Sequence, residues 1–212
     1  MATARPRFPR PWMFLALIGV AILVAAAFSV KVVPIADVDA AAAGGFNPVD
    51  FAAENYDDIA GAIDDDAVDL ATLLADLAGG AEESEFGNTS GASSAYAFPV
   101  TFEAVAGTLT EPVLPVTVAG VPADVVVQVQ VGPALNGTAL RDVTGEISFN
   151  QFTNQLEYQN VSTELNNIVR EQVLADFDAA AAAGKTIKVT GAYLRVNPGL
   201  ISVVPTKIEV VG

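Results

Sequence analysis

Residues 185–211, KTIKVTGAYLRVNPGLISVVPTKIEVV, decide how the chain is closed. Two runs rich in β-branched residues, Lys185 to Arg195 and Leu200 to Val211, flank the tripeptide Asn197-Pro198-Gly199. Asn and Gly tolerate the backbone conformations that tight turns require, and Pro presets its own φ angle. We therefore predict two paired strands that form a closing hairpin.

The segments upstream of this hairpin predict one helix preceded by strands. Apolar residues recur at helical spacing from about Val161 to Ala183, and Gly184 supplies the stop. Farther upstream, a further strand is expected between Ala139 and Phe149. Three more segments have the β-branched or alternating pattern of strands, and Gly and Pro separate them: Tyr96 to Leu109, Val113 to Val118 and Val125 to Val131.

This element order predicts the fold class. Three or more strands, one helix and a closing hairpin follow the order of the OB-fold, a five-stranded, partly open barrel. We therefore expect an α+β protein with an OB-like five-stranded β-barrel over residues 95–212. An open α+β sandwich uses the same elements and remains the alternative.

An acidic helical extension is predicted before the barrel, over residues 37–94. Asn47-Pro48 supplies an N-cap followed by proline at the first helical position, and an amphipathic helix follows. A second helix is expected from about Asp66 to Ala78, ended by Gly79-Gly80. The polar stretch from Glu82 to Ser94 predicts a mobile connection to the barrel.

Residues 1–36 have the pattern of a cytoplasmic tail followed by a transmembrane signal-anchor. Arg5, Arg7 and Arg10 precede an uncharged apolar run, and Lys31 follows it. Trp12 to Val30 forms about 28 Å of helix at roughly 1.5 Å per residue, which is close to the hydrocarbon thickness of a bilayer. The arginines favour a cytoplasmic N-terminus. We therefore expect a single-pass protein of the cell membrane with its C-terminal domain outside the cytoplasm.

A cleaved signal peptide is the alternative for this segment. Ala25-Ala26-Ala27 offers small residues of the kind that a signal peptidase accepts. The apolar run is longer than the usual signal-peptide core and continues from Phe28 to Ile35, which favours a retained anchor. Both interpretations place the remaining domain outside the cytoplasm.

The charge of the chain argues against nucleic acid as a partner. The net charge is −15, with fourteen acidic and no basic residues over 37–85, and eleven acidic and six basic residues over 86–212. Such a field repels phosphate backbones, whereas single-strand binding requires a basic groove with stacking aromatic residues. We therefore expect no nucleic-acid binding, despite the OB-like element order.

The composition also removes most catalytic chemistries. The chain contains no Cys and no His, so thiolate nucleophiles, zinc sites built from these residues and the commonest general base are excluded. Asp64, Asp65, Asp66 and Asp69 lack the ordered spacing of a calcium loop, so no metal site is predicted. No nucleophile elbow or phosphate loop is visible, and we expect neither enzymatic activity nor a cofactor.

Several motifs spread over the chain resemble those of one bacterial family. The segments concerned are Gly137 to Asp142, Ile147 to Tyr158, Gly184-Lys185, Thr190-Gly191, Phe46-Asn47-Pro48 and Ala67 to Leu74. Through them the chain resembles the predicted periplasmic lipoproteins of the domain-of-unknown-function 2291 family, and the similarity covers nearly all of the sequence after the predicted anchor.

The resemblance implies an OB-like barrel with an N-terminal helical extension and no established activity. It also implies genes that often lie near components of sugar-uptake ABC transporters. Many members carry a lipobox cysteine, and this chain departs from that pattern because it has no Cys. Anchoring by Trp12 to Val30 would replace the lipid.

The densest cluster of polar and aromatic residues surrounds Arg141 and the stretch from Phe149 to Tyr158. In a binding site, Arg141 would clamp a carboxylate or hydroxyl pair, amides would hydrogen-bond a polyol, and an aromatic ring would stack on a sugar. In a structural role, Arg141 and Asp142 form a local ion pair, Asn150 caps a short helix and the aromatic residues fill the barrel mouth. The candidate residues are Arg141, Asp142, Asn150, Phe152, Asn154, Gln155 and Tyr158.

These patterns lead to two hypotheses of function. The first is a non-enzymatic, membrane-tethered accessory protein at the outer face of a sugar ABC transporter, acting through its subunits or through weak solute binding. The second is an extracytoplasmic module that binds a carbohydrate or another small solute and acts alone.

Overall fold

The computed structural model describes residues 45–90 and 95–211. From Phe46 onward, the described chain belongs to one compact unit. The predicted signal-anchor lies outside the described residues. Within the two described ranges, no helix is long and apolar enough to cross a membrane.

The described chain alternates helices with the strands of one sheet. Two short 3-10 segments, Glu83–Glu85 and Phe149–Gln151, lie between the main elements. The main elements in chain order are α1 (Pro48–Asp66), β1 (Val68–Asp69), α2 (Leu70–Ala78), β2 (Ala97–Ala106), β3 (Val113–Val118), β4 (Val126–Gln130), α3 (Ala139–Asp142), α4 (Gln155–Gln172), β5 (Thr186–Leu194) and β6 (Leu200–Val210).

The five long strands close into a barrel. Neighbouring strands follow the order β2-β3-β4-β6-β5, and β5 pairs back onto β2. Only the β4–β6 pair within this ring is parallel, and the other four pairs are antiparallel. With α4 between the third and fourth barrel strands, this is the OB-fold, and the predicted fold class is confirmed for the barrel.

The short strand β1 adds a sixth strand beside β2. Val68 and Asp69 pair in parallel with Val100 and Thr101. The antiparallel partner β3 reaches β2 only from Ala104 onward, so β1 covers an edge of β2 that would otherwise be unpaired. This pairing fixes the helical extension to the barrel.

The barrel interior is filled by the inward half of each alternating strand. In β2, Phe98, Val100 and Phe102 are buried, whereas Glu103 and Val105 are exposed. The ring of Phe98 stacks on that of Tyr193 with 5.4 Å between centroids. Leu70 and Leu73 of α2 belong to the same interior core, so α2 packs on the barrel contents.

One glycine allows the strands of the closing hairpin to approach each other. The pairing of β5 with β6 shifts register between Thr190 and Gly191. A Cβ atom at position 191 would lie 2.2 Å from the backbone oxygen of Val204. Only glycine fits this contact without a shift of the backbone.

A second hydrophobic core lies outside the barrel wall. Tyr56 and Ile63 of α1 pack with Leu165 and Val169 of α4, and the cluster reaches the outward side chain of Val204. The start of α1 agrees with the prediction, because Asn47 caps the helix by accepting a hydrogen bond from the backbone of Val49. The extension is therefore a packed layer of the fold.

The predicted boundaries of the second helix need correction. It begins at Leu70 rather than near Asp66, because α1 continues through Asp66 and β1 intervenes. Asp69 caps α2 through a 2.9 Å hydrogen bond from the backbone nitrogen of Thr72.

The prediction of a strand between Ala139 and Phe149 is wrong. Residues Ala139–Asp142 form the single helical turn α3, and all four are buried. A turn follows, in which Gly145 has a positive φ of 71°. Leu140, Val143 and Ile147 reach the outer core from this irregular segment, so apolar content alone did not indicate a strand.

The long helix was predicted with the wrong limits. It spans Gln155–Gln172 instead of Val161 to Ala183. Beyond Val173 the chain forms turns instead of helix. These turns allow Phe177 to pack against the barrel core and Ala182 to be fully buried within it. Tertiary packing overrides the high helix propensity of the alanines that follow Asp178.

The described part of the predicted connection, up to Ser90, contacts the barrel. Asn88 forms an antiparallel bridge with Ala97, and Glu83 forms an ion pair with Arg195. Ser90 is buried. The domain boundary between residues 94 and 95 remains a prediction.

Candidate functional site

Arg141 and Asp142 lie on α3, which packs beneath the start of α4. Arg141 is 5% exposed and Asp142 is fully buried. Burying an ion pair is unfavourable unless the charges are well paired and their remaining hydrogen-bonding groups are satisfied. The surroundings of both side chains therefore decide what the pair can do.

Both charged groups are paired locally. The Nε atom of Arg141 lies 2.7 Å from Oδ1 of Asp142, and Oδ2 accepts a 2.6 Å hydrogen bond from Oγ1 of Thr138. Arg141 also donates through a terminal nitrogen to the carbonyl oxygen of Tyr158 at 3.2 Å. Its Cζ atom lies 3.6 Å from the centroid of the Tyr158 ring, a cation–π contact. We call these four residues the polar cluster.

An aromatic cluster adjoins the polar cluster. Phe152 has its ring centroid 5.0 Å from that of Phe46, 5.5 Å from Phe51 and 5.3 Å from Tyr158. Phe149 packs edge-on against Tyr158 at 5.7 Å. These rings join the start of α1 to the start of α4, and Phe152 and Tyr158 are buried.

The predicted amide residues lie on the surface. Asn150, Asn154 and Gln155 are exposed. Asn154 caps α4: its side chain accepts from the backbone nitrogen of Glu157 at 3.0 Å and donates to the Glu157 carboxylate. The cap expected at Asn150 is wrong, because Asn150 lies within a 3-10 segment and the capping residue is Asn154.

The structure therefore brings four of the seven predicted residues together and leaves three on the surface. Arg141, Asp142, Phe152 and Tyr158 form one buried group with its polar contacts internal. A solute clamped by Arg141 would have to displace Asp142 or Tyr158. The ion pair predicted for the structural role is present, and solute binding at these positions remains a prediction.

Sequence reasoning missed a groove along α1. Two clefts of about 330 and 420 Å³ lie against this helix and share Thr144 in their walls. We call the two clefts together the α1 groove. The turn after α3 forms its opposite wall, through Val143 to Ile147. On α1 the lining residues recur at helical spacing, which is the one signal in the sequence that could have indicated them: Phe51, Asn55, Asp58, Ile59, Ala62, Ile63 and Asp66.

The α1 groove is lined by acidic and neutral side chains. Asp58, Asp66, Glu85 and Glu146 contribute carboxylates, and neither cleft has a Lys or Arg in its lining. Asn88 is held in place because its amide donates to the carbonyl oxygen of Val143 at 2.7 Å. This hydrogen bond links Asn88 to the opposite wall of the groove, and the carboxylates make the rim electronegative.

Two buried tyrosines have raised pKa values. Burial, together with the charge of Asp57, raises the pKa of Tyr56 to about 12. Burial also raises the pKa of Tyr193, and the nearby Arg195 partly opposes that effect. Both rings stay neutral at physiological pH, so they supply packing rather than charge. In the described part of the chain, no cluster of acidic residues could hold a metal ion.

The closed five-stranded barrel, with a helix between its third and fourth strands, defines the class as OB-fold proteins. A crystal structure described as an OB-fold protein from Thermotoga maritima matches with a TM-score of 0.64 and 18% identity, covering 79% of this chain and 99% of that one. At this identity the match shows the fold.

The family follows from a match over residues 20–209 to the predicted periplasmic lipoproteins of the domain-of-unknown-function 2291 family. The chain belongs to this family. Its description places the protein in an extracytoplasmic, membrane-associated location and names no activity. No curated protein matches the chain.

Proposed function

We propose that this protein is a non-enzymatic, membrane-anchored accessory protein that works outside the cytoplasm by contacting a sugar ABC transporter. Membership in a family of predicted periplasmic lipoproteins carries the proposal. The sequence supports it with the apolar run from Trp12 to Val30, which would hold the barrel at the membrane in a chain without cysteine. The transporter follows from the gene neighbourhood that the family resemblance implies.

The packing of the candidate residues supports a role without catalysis. Arg141 and Asp142 form their ion pair with each other inside the protein, and the Asp142 carboxylate is fully buried. General acid–base chemistry requires a group within hydrogen-bond reach of a substrate. The exposed surface, rather than this pair, is therefore where the protein meets its partner.

The outer face of the barrel supports a partner other than nucleic acid. OB-folds that bind oligonucleotides use the second and third barrel strands, here β3 and β4. The outward residues on that face and on the part of β6 that pairs with β4 are neutral: Pro115, Thr117, Val126, Gln128, Gln130 and Ser202. Without Lys or Arg, this face lacks the charge that phosphate binding requires.

Co-purification tests the proposal. A tag placed after Gly212 is used to recover the full chain from membranes solubilised in mild detergent, and transporter subunits are identified by mass spectrometry. The control carries residues 1–36 fused to an unrelated exported domain. We expect transporter subunits with the full chain and none with the control. Absence of these subunits, or equal recovery by the control, would refute the proposal.

A stand-alone solute-binding module is the second candidate. The neutral hydrogen-bonding groups of the α1 groove favour it, since Asn55, Thr144 and Gln151 line one cleft. A ligand at 100 times its dissociation constant adds about 2.7 kcal/mol of stability. A thermal-shift screen of sugars and polyols on the full chain should then show a clear increase in melting temperature for at least one compound, and a flat screen removes this candidate.

A further inference from the structure

The α1 groove has the length of a peptide-binding surface. Its lining on α1 extends from Phe51 to Asp66, about 22 Å at roughly 1.5 Å per residue. An extended peptide covers that distance with about seven residues at roughly 3.3 Å each. The two clefts meet at Thr144, so one segment can run along both.

The floor of the groove is apolar and fixed by the outer core. Ile59 and Ile63 are 3% and 1% exposed, and Val143 and Ile147 across the groove are 3% and 5% exposed. Because these side chains pack into the outer core, the floor does not need to rearrange on binding. Apolar contact for an occupant comes from the half-buried lining residues Phe51, Val68 and Phe86.

The rim of the groove carries charges that have no internal counterpart. Among the ion pairs of the described residues, none includes Asp58, Asp66, Glu85 or Glu146. The basic residues of this part of the chain lie elsewhere: Arg141, Arg170, Arg195 and Lys207 are paired with other acids, and Lys185 and Lys188 line different clefts. Charge complementarity therefore requires a cationic occupant.

We infer that the α1 groove is the docking site for a basic segment of a partner protein, one that presents Lys or Arg side chains to the rim and apolar side chains to the floor. This inference rests on the proposed function, because it names the surface through which the accessory protein contacts its partner. A small cation does not fit, since the described residues hold no cluster that could bind a metal. The rim repels anionic ligands, because all of its charged side chains are carboxylates.

Charge-neutralising variants test this site. The groove variant combines Asp58→Asn, Asp66→Asn, Glu85→Gln and Glu146→Gln, all at exposed positions. The matched control combines Glu54→Gln, Asp57→Asn, Asp65→Asn and Asp76→Asn, which are exposed residues of α1 and α2 outside both clefts. Both variants change the net charge equally, so general attraction affects them alike.

The probe is a synthetic peptide with Lys and Leu at alternating positions, titrated into the full chain at about physiological ionic strength, where surface charges are screened beyond roughly 8 Å. We expect the groove variant to bind about tenfold or more weakly, because up to four charge contacts are lost, and the control to stay within about twofold. Equal weakening of both variants, or no effect of either, would overturn the inference.

A steric variant separates shape from charge. Ala62→Phe places a ring in the wall of the first cleft, whereas Gly61→Phe introduces the same side chain at a neighbouring exposed position with open space around it. Far-UV circular dichroism checks that each variant folds. The inference predicts that only Ala62→Phe weakens peptide binding, and equal effects of the two substitutions would contradict it.

The two proposals fail in distinguishable ways. If the wild-type chain recovers transporter subunits and the groove variant recovers as much, the docking site is wrong and the proposed function stands. If the wild-type chain recovers none, the proposed function fails, and the peptide titration alone decides whether the groove binds a basic segment.

Discussion

The substitution Asp142→Asn tests whether the polar cluster is a structural element of the fold. It keeps the shape of the side chain but leaves the guanidinium of Arg141, 5% exposed, without its charged partner. Breaking a buried ion pair on one side costs about 3–5 kcal/mol, because the remaining charge is uncompensated. A domain of this kind has a total stability of about 5–15 kcal/mol, so the variant should fold but unfold far more easily.

Urea denaturation of the full chain in detergent, followed by far-UV circular dichroism, measures this loss. With an m value of about 2 kcal/mol per molar urea, the midpoint should fall by roughly 2 M. The double variant Arg141→Met, Asp142→Leu should lose less than Asp142→Asn alone, because it leaves no unpaired charge.

A surface pair of the same spacing provides the control. Arg170 and Glu171 are also adjacent in sequence and form an ion pair of 3.1 Å, but their side chains are 39% and 70% exposed. Glu171→Gln should therefore cost at most about 1 kcal/mol. If Asp142→Asn lost no more than Glu171→Gln, the pair would be accessible to solvent and our description of the cluster would be refuted.

The remaining predictions concern capping, strand approach and titration. Asn154→Ala should destabilise the fold by about 1 kcal/mol through loss of the α4 cap, whereas Asn150→Ala should have little effect in the same urea assay. Gly191→Ala should destabilise by more than about 2 kcal/mol because its Cβ would meet backbone 2.2 Å away, while Gly61→Ala, with open space around it, should stabilise by about 0.5–1 kcal/mol. Because the pKa of Tyr56 is raised from 10.0 to about 12, its neutral form favours the folded state, and stability present below pH 10 should be lost between pH 10 and 12. Tyr56→Phe should flatten that part of the stability profile measured by urea denaturation across pH, and an unchanged profile would count against the burial of this hydroxyl.

Strand positions were the most predictable part of the fold, because apolar and polar residues alternate along a strand that has one buried face. Val113 to Val118 was predicted with the observed limits, and the hairpin around Asn197 differs from the prediction by one residue at three of its four strand ends. The ring closure of β2 with β5 depends on contacts between residues about ninety positions apart, so the sequence supported it only through the element order.

The helix limits show which local signals were overlooked. Asn154 followed by Glu157 is a capping signal, and it marked the true start of α4 before Val161. The end at Gln172 has no comparable signal, because it results from the packing of Phe177 and Ala182 into the barrel core. Local propensity cannot predict an end of that kind.

The candidate residues come together only in part, and the four that do are buried. Sequence density placed Arg141 near Tyr158, and the two are in contact. The burial of Arg141 and Tyr158 could not be predicted from the sequence, because it depends on α1 packing over the junction of α3 and α4. The α1 groove went unnoticed for the same reason, because its opposite wall belongs to a turn that was predicted as a strand.

The compartment of the barrel is the central claim, and a pair of reporter fusions after Gly212 tests it most directly. One reporter requires disulfides and is active only in an oxidising compartment outside the cytoplasm, and the other is active only within the cytoplasm. We predict activity of the first reporter alone, in the membrane fraction. Activity of the cytoplasmic reporter alone would contradict the location, the transporter contact and the docking of an extracytoplasmic basic segment together.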